Sequence, residues 1–378
     1  MFRSIPPIAT AIVLAAASAL GTPALAQSSV ALRSAPTDTY RAVVVRPTAD
    51  GLDVVVVDTN GAERPVRHLT PESLGLEPGS VLERGGSVSD RGWQVVYAVK
   101  PPGSTRTRYG VTVLLDLADP SRSPMIIPND GFSGVRWVPD GQFAMHMLGP
   151  QSPGTVLVID PEQGPSSAVL VPNVAMYGGG PEIVWAADGS GFLTGDRAPL
   201  GVTPIDGGPF IPGAPKDLSR VYGNGRVAGS GQAGVGTMNA LDGPTTQWYH
   251  DELAPATPVH SQFAADGEAV WLLLDETVGP TPRAVLAKLT GAGQIASVQT
   301  IAFPEGPVAG LRLSSDDTYA AIYLGSEYTR FVLVPVAADE PPATAGPAID
   351  GFLVGLVPAA AADAWPVGGP FASPIQVP

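Results

Sequence analysis

The chain is 378 residues long and carries 35 Asp and Glu against 21 Lys and Arg, a net charge of −14 at neutral pH. That balance argues against nucleic acid or an anionic membrane surface as a partner. Cysteine is absent, so no disulfide staples the fold, and a chain of this length can bury enough apolar surface without one. Disorder is also excluded, despite 45 Gly and 41 Pro, because 44% of the residues are apolar and the Gly and Pro sit at turns between apolar runs.

Residues 1–26 begin with Arg3, continue through a short apolar run over 8–20 and end on Ala-Leu-Ala. This is the pattern of a secretory signal peptide cleaved before Gln27, so an exported, periplasmic or secreted protein is expected. The apolar run is too short to span a bilayer, and no integral membrane anchor or cysteine-linked lipid is expected. Residues 27–36 read as an N-terminal extension, 37–357 as a single domain and 358–378 as a C-terminal tail.

Within the domain, three strands are predicted over residues 40–46, 52–58 and 65–69, with no strand of their own sheet before them. The clearest unit runs from 135 to 171, VRWVPDGQFAMHMLGPQSPGTVLVIDPEQGPSSAVLV. It reads as strands over 135–138, 143–147, 155–159 and 167–171, separated by Asp, Gly and Pro turns. A four-stranded unit leaves two apolar faces and needs neighbours. Turn markers of the same kind recur at Asp90, Asp140, Asp188, Asn224, Asp266 and Asp316, at intervals of about 36–50 residues. Trp137, Trp185, Phe263 and Leu313 stand three residues before four of these turns, and Trp93, Phe143, Phe192 and Tyr319 open the strands after them. A second turn type closes third strands, as DTNG at 58–61 and DPEQG at 160–164. Residues 337–347 (AADEPPATAGP) read as an extended connector, and residues 349–357 (IDGFLVGLV) as a lone strand that completes the N-terminal sheet. Helix is expected only near 358–365.

The repeated V-x-W-x-x-D-G-x-x, followed by apolar strands and a D-x-x-G turn, resembles the TolB-type, WD-like β-propeller repeat of exported bacterial proteins. The resemblance covers about residues 37–357 and is clearest at 135–171, 183–212, 261–301 and 311–336. It implies an all-β propeller of seven four-stranded blades, with six or eight as the neighbouring counts, closed into a ring by the C-terminal strand. A solenoid or a double sandwich is the alternative. The resemblance also implies that ligands meet the face carrying the loops into first strands and the loops from second to third strands. Here those loops include residues 77–86, 130–134, 173–182, 212–220, 250–260 and 303–310.

Motifs with chemistry are sparse. GSGQAG at 229–234 matches G-x-G-x-x-G, but a strand pattern rather than a helix follows it, so it reads as a glycine-rich hairpin. No G-x-S-x-G, H-E-x-x-H, Walker A or EF-hand pattern occurs. SVSDRGW at 87–93 reads as a turn. Of the four histidines, His146 falls within a predicted strand, and His250 begins an acidic cluster, YHDEL, too generic to specify a metal. Arg106 and Arg108 form a rare basic spot in a loop.

Six residues before each turn marker stand Arg84, Gly134, Glu182, Leu218, His260 and Gly310. Each is expected near the entry to a first strand. Arg84, Glu182 and His260 are therefore the candidate ligand-binding residues at the mouth of a central channel. No catalytic residue, metal or cofactor is assigned. The expected function is a monomeric, non-catalytic scaffold that binds a protein, peptide or envelope component. The alternative is a metal-dependent lactonase- or lyase-type enzyme with its site in the channel.

Overall fold

In a computed structural model, the described residues are 39–99, 110–128, 135–137, 141–147, 155–172, 191–194, 201–205, 208, 211–212, 223–224, 234–239, 246–249, 257–264, 269–276, 283–290, 295–302, 307–336 and 343–377. Glu182, His250, Arg106, Arg108 and the signal segment lie outside them. The described strands are almost all antiparallel and fall into seven sheets. The helical turns within this set are Ala359–Ala362 and the 3-10 turn Pro165–Ser167.

The first sheet explains the composition. Its strands Tyr40–Pro47 and Leu52–Val57 read as near-continuous valine runs rather than an alternation, and the outer strand Glu63–Leu69 is more polar. Both faces are buried. Val43, Val45, Leu52, Val54 and Val56 pack toward Val96, Val113 and Leu115 of the second sheet. Ala42, Val44, Val55 and Val57 pack toward Ala321, Phe331 and Leu333 of the seventh. A strand buried on both sides has no solvent face to make polar, and each fully buried Val contributes about 1.5–3 kcal/mol.

The same seam recurs along the chain. The second sheet, built on Trp93–Val99, Gly110–Asp116 and Met125–Pro128, packs on the third through Trp93, Leu114, Phe143 and Leu157. The third sheet has the order Val135–Trp137, Phe143–Met147, Thr155–Ile159, Val169–Val171. Its Val158 and Val171 pack near Ile205, beside the strand Gly201–Pro204 of the fourth. The sixth sheet (Thr257–Phe263, Ala269–Glu276, Arg283–Thr290, Ile295–Ala302) packs on the seventh (Val308–Leu313, Tyr319–Leu324, Arg330–Pro335) through Trp271, Leu286, Leu311 and Ile322. The fifth sheet comprises Gly223–Asn224, Gly234–Asn239 and Thr246–Tyr249. A strand, not a helix, thus follows the glycine-rich hexapeptide.

The Asp-marked turns have a common chemistry. Ser89 and Ser314 are buried, and each hydroxyl accepts the backbone N–H of the aromatic that opens the next strand, Trp93 at 3.1 Å and Tyr319 at 3.0 Å. Asp316 then caps Thr318 N at 3.0 Å. At the other turn type, Asp58 Oδ1 accepts from Asn60 N and Ala62 N, and Gly61 takes a φ of 80°.

Three sequence expectations are corrected. The segment expected as one lone strand over 349–357 is two strands in two sheets. Ile349–Asp350 pairs with Arg330–Pro335 as the last strand of the seventh sheet, and Phe352–Pro358 pairs with Tyr40–Pro47 in the first. Gly351 makes the switch, with a φ of 127° and a Cα so close to Val44 that a Cβ would meet its Cγ1 at 2.3 Å. The fourth strand of the third sheet begins at Val169 rather than 167, because the Ser167 hydroxyl is spent closing the turn on Asp160 O and Gly164 O. The expected connector over 337–347 contributes Ala343–Thr344 as a parallel fifth strand on the sixth sheet.

Residues 358–377 are also tied down. Trp365 is buried between the first and second sheets. The chain then donates from Gly368 N to Val66 O and from Ala372 N to Pro120 O. It ends by pairing Ile375–Gln376 in parallel with Met125 and Ile126. This strap crosses from the outer strand of the first sheet to the outer strand of the second, and covers two edges that would otherwise invite pairing.

Replacing Gly351 with Ala is expected to cost about 2–4 kcal/mol, from a disfavoured positive φ plus a steric overlap; the shift of a urea midpoint at constant slope measures it. At the exposed rim of the first sheet, on its outer strand, His68 Nδ1 lies 2.7 Å from Asp53 and Nε2 lies 3.4 Å from Asp50. The hydrogen bond to Asp53 raises its pKa above the ordinary 6.5. A raised folded pKa adds stability that is full below the unfolded value and is lost as pH rises through the folded one. The melting-temperature gap between wild type and His68→Gln should therefore be widest near about pH 5.5 and close by about pH 9.

Candidate functional site

The first strands of four sheets run side by side. Thr257–Phe263 touches Val308–Leu313, which touches Phe352–Pro358, which touches Ser87–Val88. Side chains fasten each to the next. Gln262 Oε1 accepts from Leu313 N at 3.0 Å, and Arg312 Nη1 donates to Leu353 O at 3.4 Å. Gly355 lies so close to Val88 that a Cβ there would meet Val88 Cγ1 at 2.4 Å. Neighbouring backbones approach this closely because glycine and a polar end group stand where a bulky side chain would hold them apart.

The second sheet's first strand is interrupted. Val81–Leu82 and Ser87–Val88 both pair with Trp93–Val99, and residues 83–86 form an excursion between them. Glu83 N keeps the register by donating to Tyr97 O at 2.8 Å. Gly85 and Gly86 take φ of 146° and 123°, which frees the exposed Arg84 to reach Phe352. Its guanidinium lies 5.5 Å from that ring's centroid, a cation–π distance. Arg84 and Arg312 thus approach the start of the strand Phe352–Pro358 from its two sides.

The seventh sheet adds an aromatic wall. Tyr323 stands opposite Gly310 across the sheet, and Tyr328 closes over both, with ring centroids 5.2 Å apart at 65°. A Cβ on Gly310 would strike Tyr328 Cε1 at 2.8 Å. Tyr328 takes a φ of 56° and donates its hydroxyl to Ala309 O at 3.2 Å. Positive φ is uncommon for an aromatic residue, so the loop holds this ring at a backbone cost. Burial pushes the Tyr323 hydroxyl above its ordinary pKa, while the Arg312 charge and hydrogen bond pull it back. Nearby, burial raises the Asp275 carboxyl, and a hydrogen bond from the Val308 backbone opposes that rise.

Of the candidate residues, Arg84 sits in the excursion inside its first strand, and His260 and Gly310 lie within the first few residues of theirs, in Thr257–Phe263 and Val308–Leu313. The pairing of the first strands shifts register beside them, between Pro258 and His260 and between Val308 and Gly310. Two further first strands stand between those carrying Arg84 and His260. Arg84 is grouped instead with Phe352 and Arg312. Arg312, Tyr323, Tyr328 and Phe352 were missed by sequence reasoning. The one available signal was an exposed-type residue, Arg312, inside an apolar first strand (VAGLRL). Among the described residues, no group of three or more His, Asp or Glu side chains stands where it could hold a metal ion, and no helix is long and apolar enough to cross a membrane.

No protein-family model matches the chain, and no curated protein does. Solved structures similar to it include TolB from Acinetobacter baumannii, at 14% identity and TM-score 0.43 over 85% of this chain and 66% of that one. A proposed 6-phosphogluconolactonase from Bacteroides fragilis shows 11% identity and TM-score 0.44 over 85% and 99%. A prolyl endopeptidase shows 14% identity and TM-score 0.45 over 81% and 50%. The chain spans just under two thirds of the TolB length. All three scores fall below 0.5, and the fold rests on the sheets themselves.

Absorbance titration should show the buried Tyr40 and Tyr323 forming phenolate later than exposed tyrosines, and Tyr323→Phe should remove its share of that late component. Arg312→Met removes the positive charge that favours the phenolate and should move this component further up.

Proposed function

We propose that the chain is an exported β-propeller of seven blades that binds a protein or peptide on the face where its first strands open. The observation that carries this reading is the line of first strands fastened side to side, with the C-terminal strand Phe352–Pro358 standing between those of the seventh and second sheets. In a ring of blades the first strands surround the axis, and a last strand that completes the first sheet joins the two ends of the chain. The seven sheets of the described residues suit that count. The signal-like segment before residue 27 supports export, and residues 37–357 with the strap form the working unit, a monomer in this reading.

The binding face is read from Arg84, Arg312, Phe352, Tyr323 and Tyr328. Two guanidiniums and three aromatic rings converge on one short stretch, and Arg and Tyr are the residue types that anchor interfaces. On a chain of net charge −14, two arginines with no acid between them in this group favour a partner segment that presents carboxylates. Aromatic rings add contact area at little cost in entropy. Glu182 and His260 remain candidates for the same face through the repeat positions they share with Arg84.

The test is capture from a native envelope fraction, followed by affinity measurement with the purified partner. Arg84→Ala and Arg312→Met should each weaken binding about tenfold, a loss of about 1.4 kcal/mol, and more at low salt than at high salt. Melting temperatures should change little for Arg84→Ala. Equal affinity in both variants would remove this face from the interaction. A stoichiometric, tightly held metal ion together with lactone hydrolysis would replace the scaffold reading by the enzymatic one.

A further inference from the structure

Arg67 lies on the outer strand of the first sheet, opposite Val54, and is only 4% exposed. It faces the apolar seam between the first and second sheets rather than water. The strap covers it: the Phe371 ring centroid lies 5.4 Å from its Cζ, and Gly369 O accepts from Nη1 at 3.4 Å. The other edge of the guanidinium is different. Nε and Nη2 are buried and find no hydrogen-bond partner among the described residues. Burial disfavours its charge, and no carboxylate among the described residues offsets this.

Such an arrangement is costly. A buried charge is ordinarily paired, and a buried N–H is ordinarily bonded. Arginine does not relieve the cost by losing its proton, as a buried lysine would. The two orphan groups are also not a random pair. Nε and Nη2 form one side of the planar fork, the side that donates two parallel hydrogen bonds to a single carboxylate or phosphate.

We propose that the Nε/Nη2 edge of Arg67 is a binding site for a small carboxylate, held beneath residues 366–372 of the strap. One carboxylate satisfies both donors and cancels the buried charge. The apolar walls, Phe371 among them, select a singly charged and weakly hydrated carboxylate over phosphate, whose second charge would have to be stripped of water in the same seam. The strap is the door. It rests on the Gly368 N to Val66 O bond and the Ala372 N to Pro120 O bond, and a ligand enters when this stretch lifts from the sheet edge. Occupancy then tightens the strap, because the bound anion fixes the side chain over which Phe371 lies.

The experiment uses the full mature chain at constant ionic strength, with sodium chloride exchanged for sodium acetate. The melting temperature of the wild type should rise with acetate and level off, as for a ligand that binds only the folded state. Labelled acetate should show saturable line broadening by carbon NMR. Arg67→Met should abolish both responses and be no less stable than the wild type without acetate, since a similar apolar volume replaces an unpaired buried charge. Arg67→Lys keeps a charge but lacks the fork, and it too should lose the saturable response. Should Arg67→Met not fold, Arg67→Lys and the wild-type NMR titration decide. The proposal is overturned if the wild type responds no more to acetate than to chloride, or if either variant keeps the wild-type response. A saturable response to phosphate but not to acetate overturns the carboxylate assignment.

Discussion

One glycine lets a single stretch of chain belong to two sheets. Gly351, at a φ of 127° and in contact with Val44, turns the backbone between Asp350, the last residue of the seventh sheet, and Phe352, the first of the strand beside Tyr40–Pro47. Other contacts gather around it. Arg46 donates from Nε to Asp350 O at 3.0 Å, and Arg312 reaches Leu353 O. Without that turn the first sheet would keep an unpaired edge, and the two ends of the domain would have no hydrogen-bonded connection through it. The junction is long-range in sequence, so it carries a larger loop-closure entropy than the local hairpins.

Stacking on both faces follows from the same plan. Sheets with an apolar seam on each side have little surface on which to place charge, which is why charged residues are only 15% of the chain. The charge that remains gathers at strand ends and seam rims. Arg122 lies 5.7 Å from the Trp93 ring and pairs with Glu162 across the second and third sheets, while Trp93 Nε1 donates to the same carboxylate at 3.0 Å. Asp116, buried beside them, has its pKa raised by desolvation, against backbone hydrogen bonds and the Arg122 charge. The strap extends the principle: it seals the outer rim of the first seam with Trp365 and Phe371, and it shuts Arg67 away from water.

The proposed binding face and the proposed carboxylate site sit at opposite ends of strand order. Arg84 and Arg312 meet at first strands, and Arg67 belongs to the fourth, outermost strand of its sheet. The first group is open to a large partner, because Arg84 is exposed on its excursion. The second is closed, so it suits a ligand of a few atoms. Arginine serves both because its fork keeps its charge in either setting.

The strands and their turns were legible in the sequence, since both depend on neighbours within a few residues. Trp137 and Phe143 flank their Asp-Gly turn and do meet, at 5.3 Å between ring centroids, and the hairpins DTNG and DPEQG carry their own side-chain caps. That part of residues 349–357 partners the N-terminal strand was also foreseen, because an unfilled place in one unit matched an unused strand in another. The split at Gly351 was not, since nothing in IDGFLVGLV marks which half joins which sheet; that is decided by how closely Val44 approaches. The candidate site was read less well. A fixed count back from each turn assumes equal strands, and register shifts beside His260 and Gly310 and the excursion at 83–86 break that assumption. By itself the sequence determined the local β-structure, the repeat and the terminal strand's destination, all set by short-range turn chemistry and apolar patterning. Only the tertiary structure decided that Arg84, Arg312 and Phe352 converge and that Arg67 is buried without a counterion among the described residues, because side chains 40 to more than 260 positions apart meet there through sheet stacking, which no local pattern encodes.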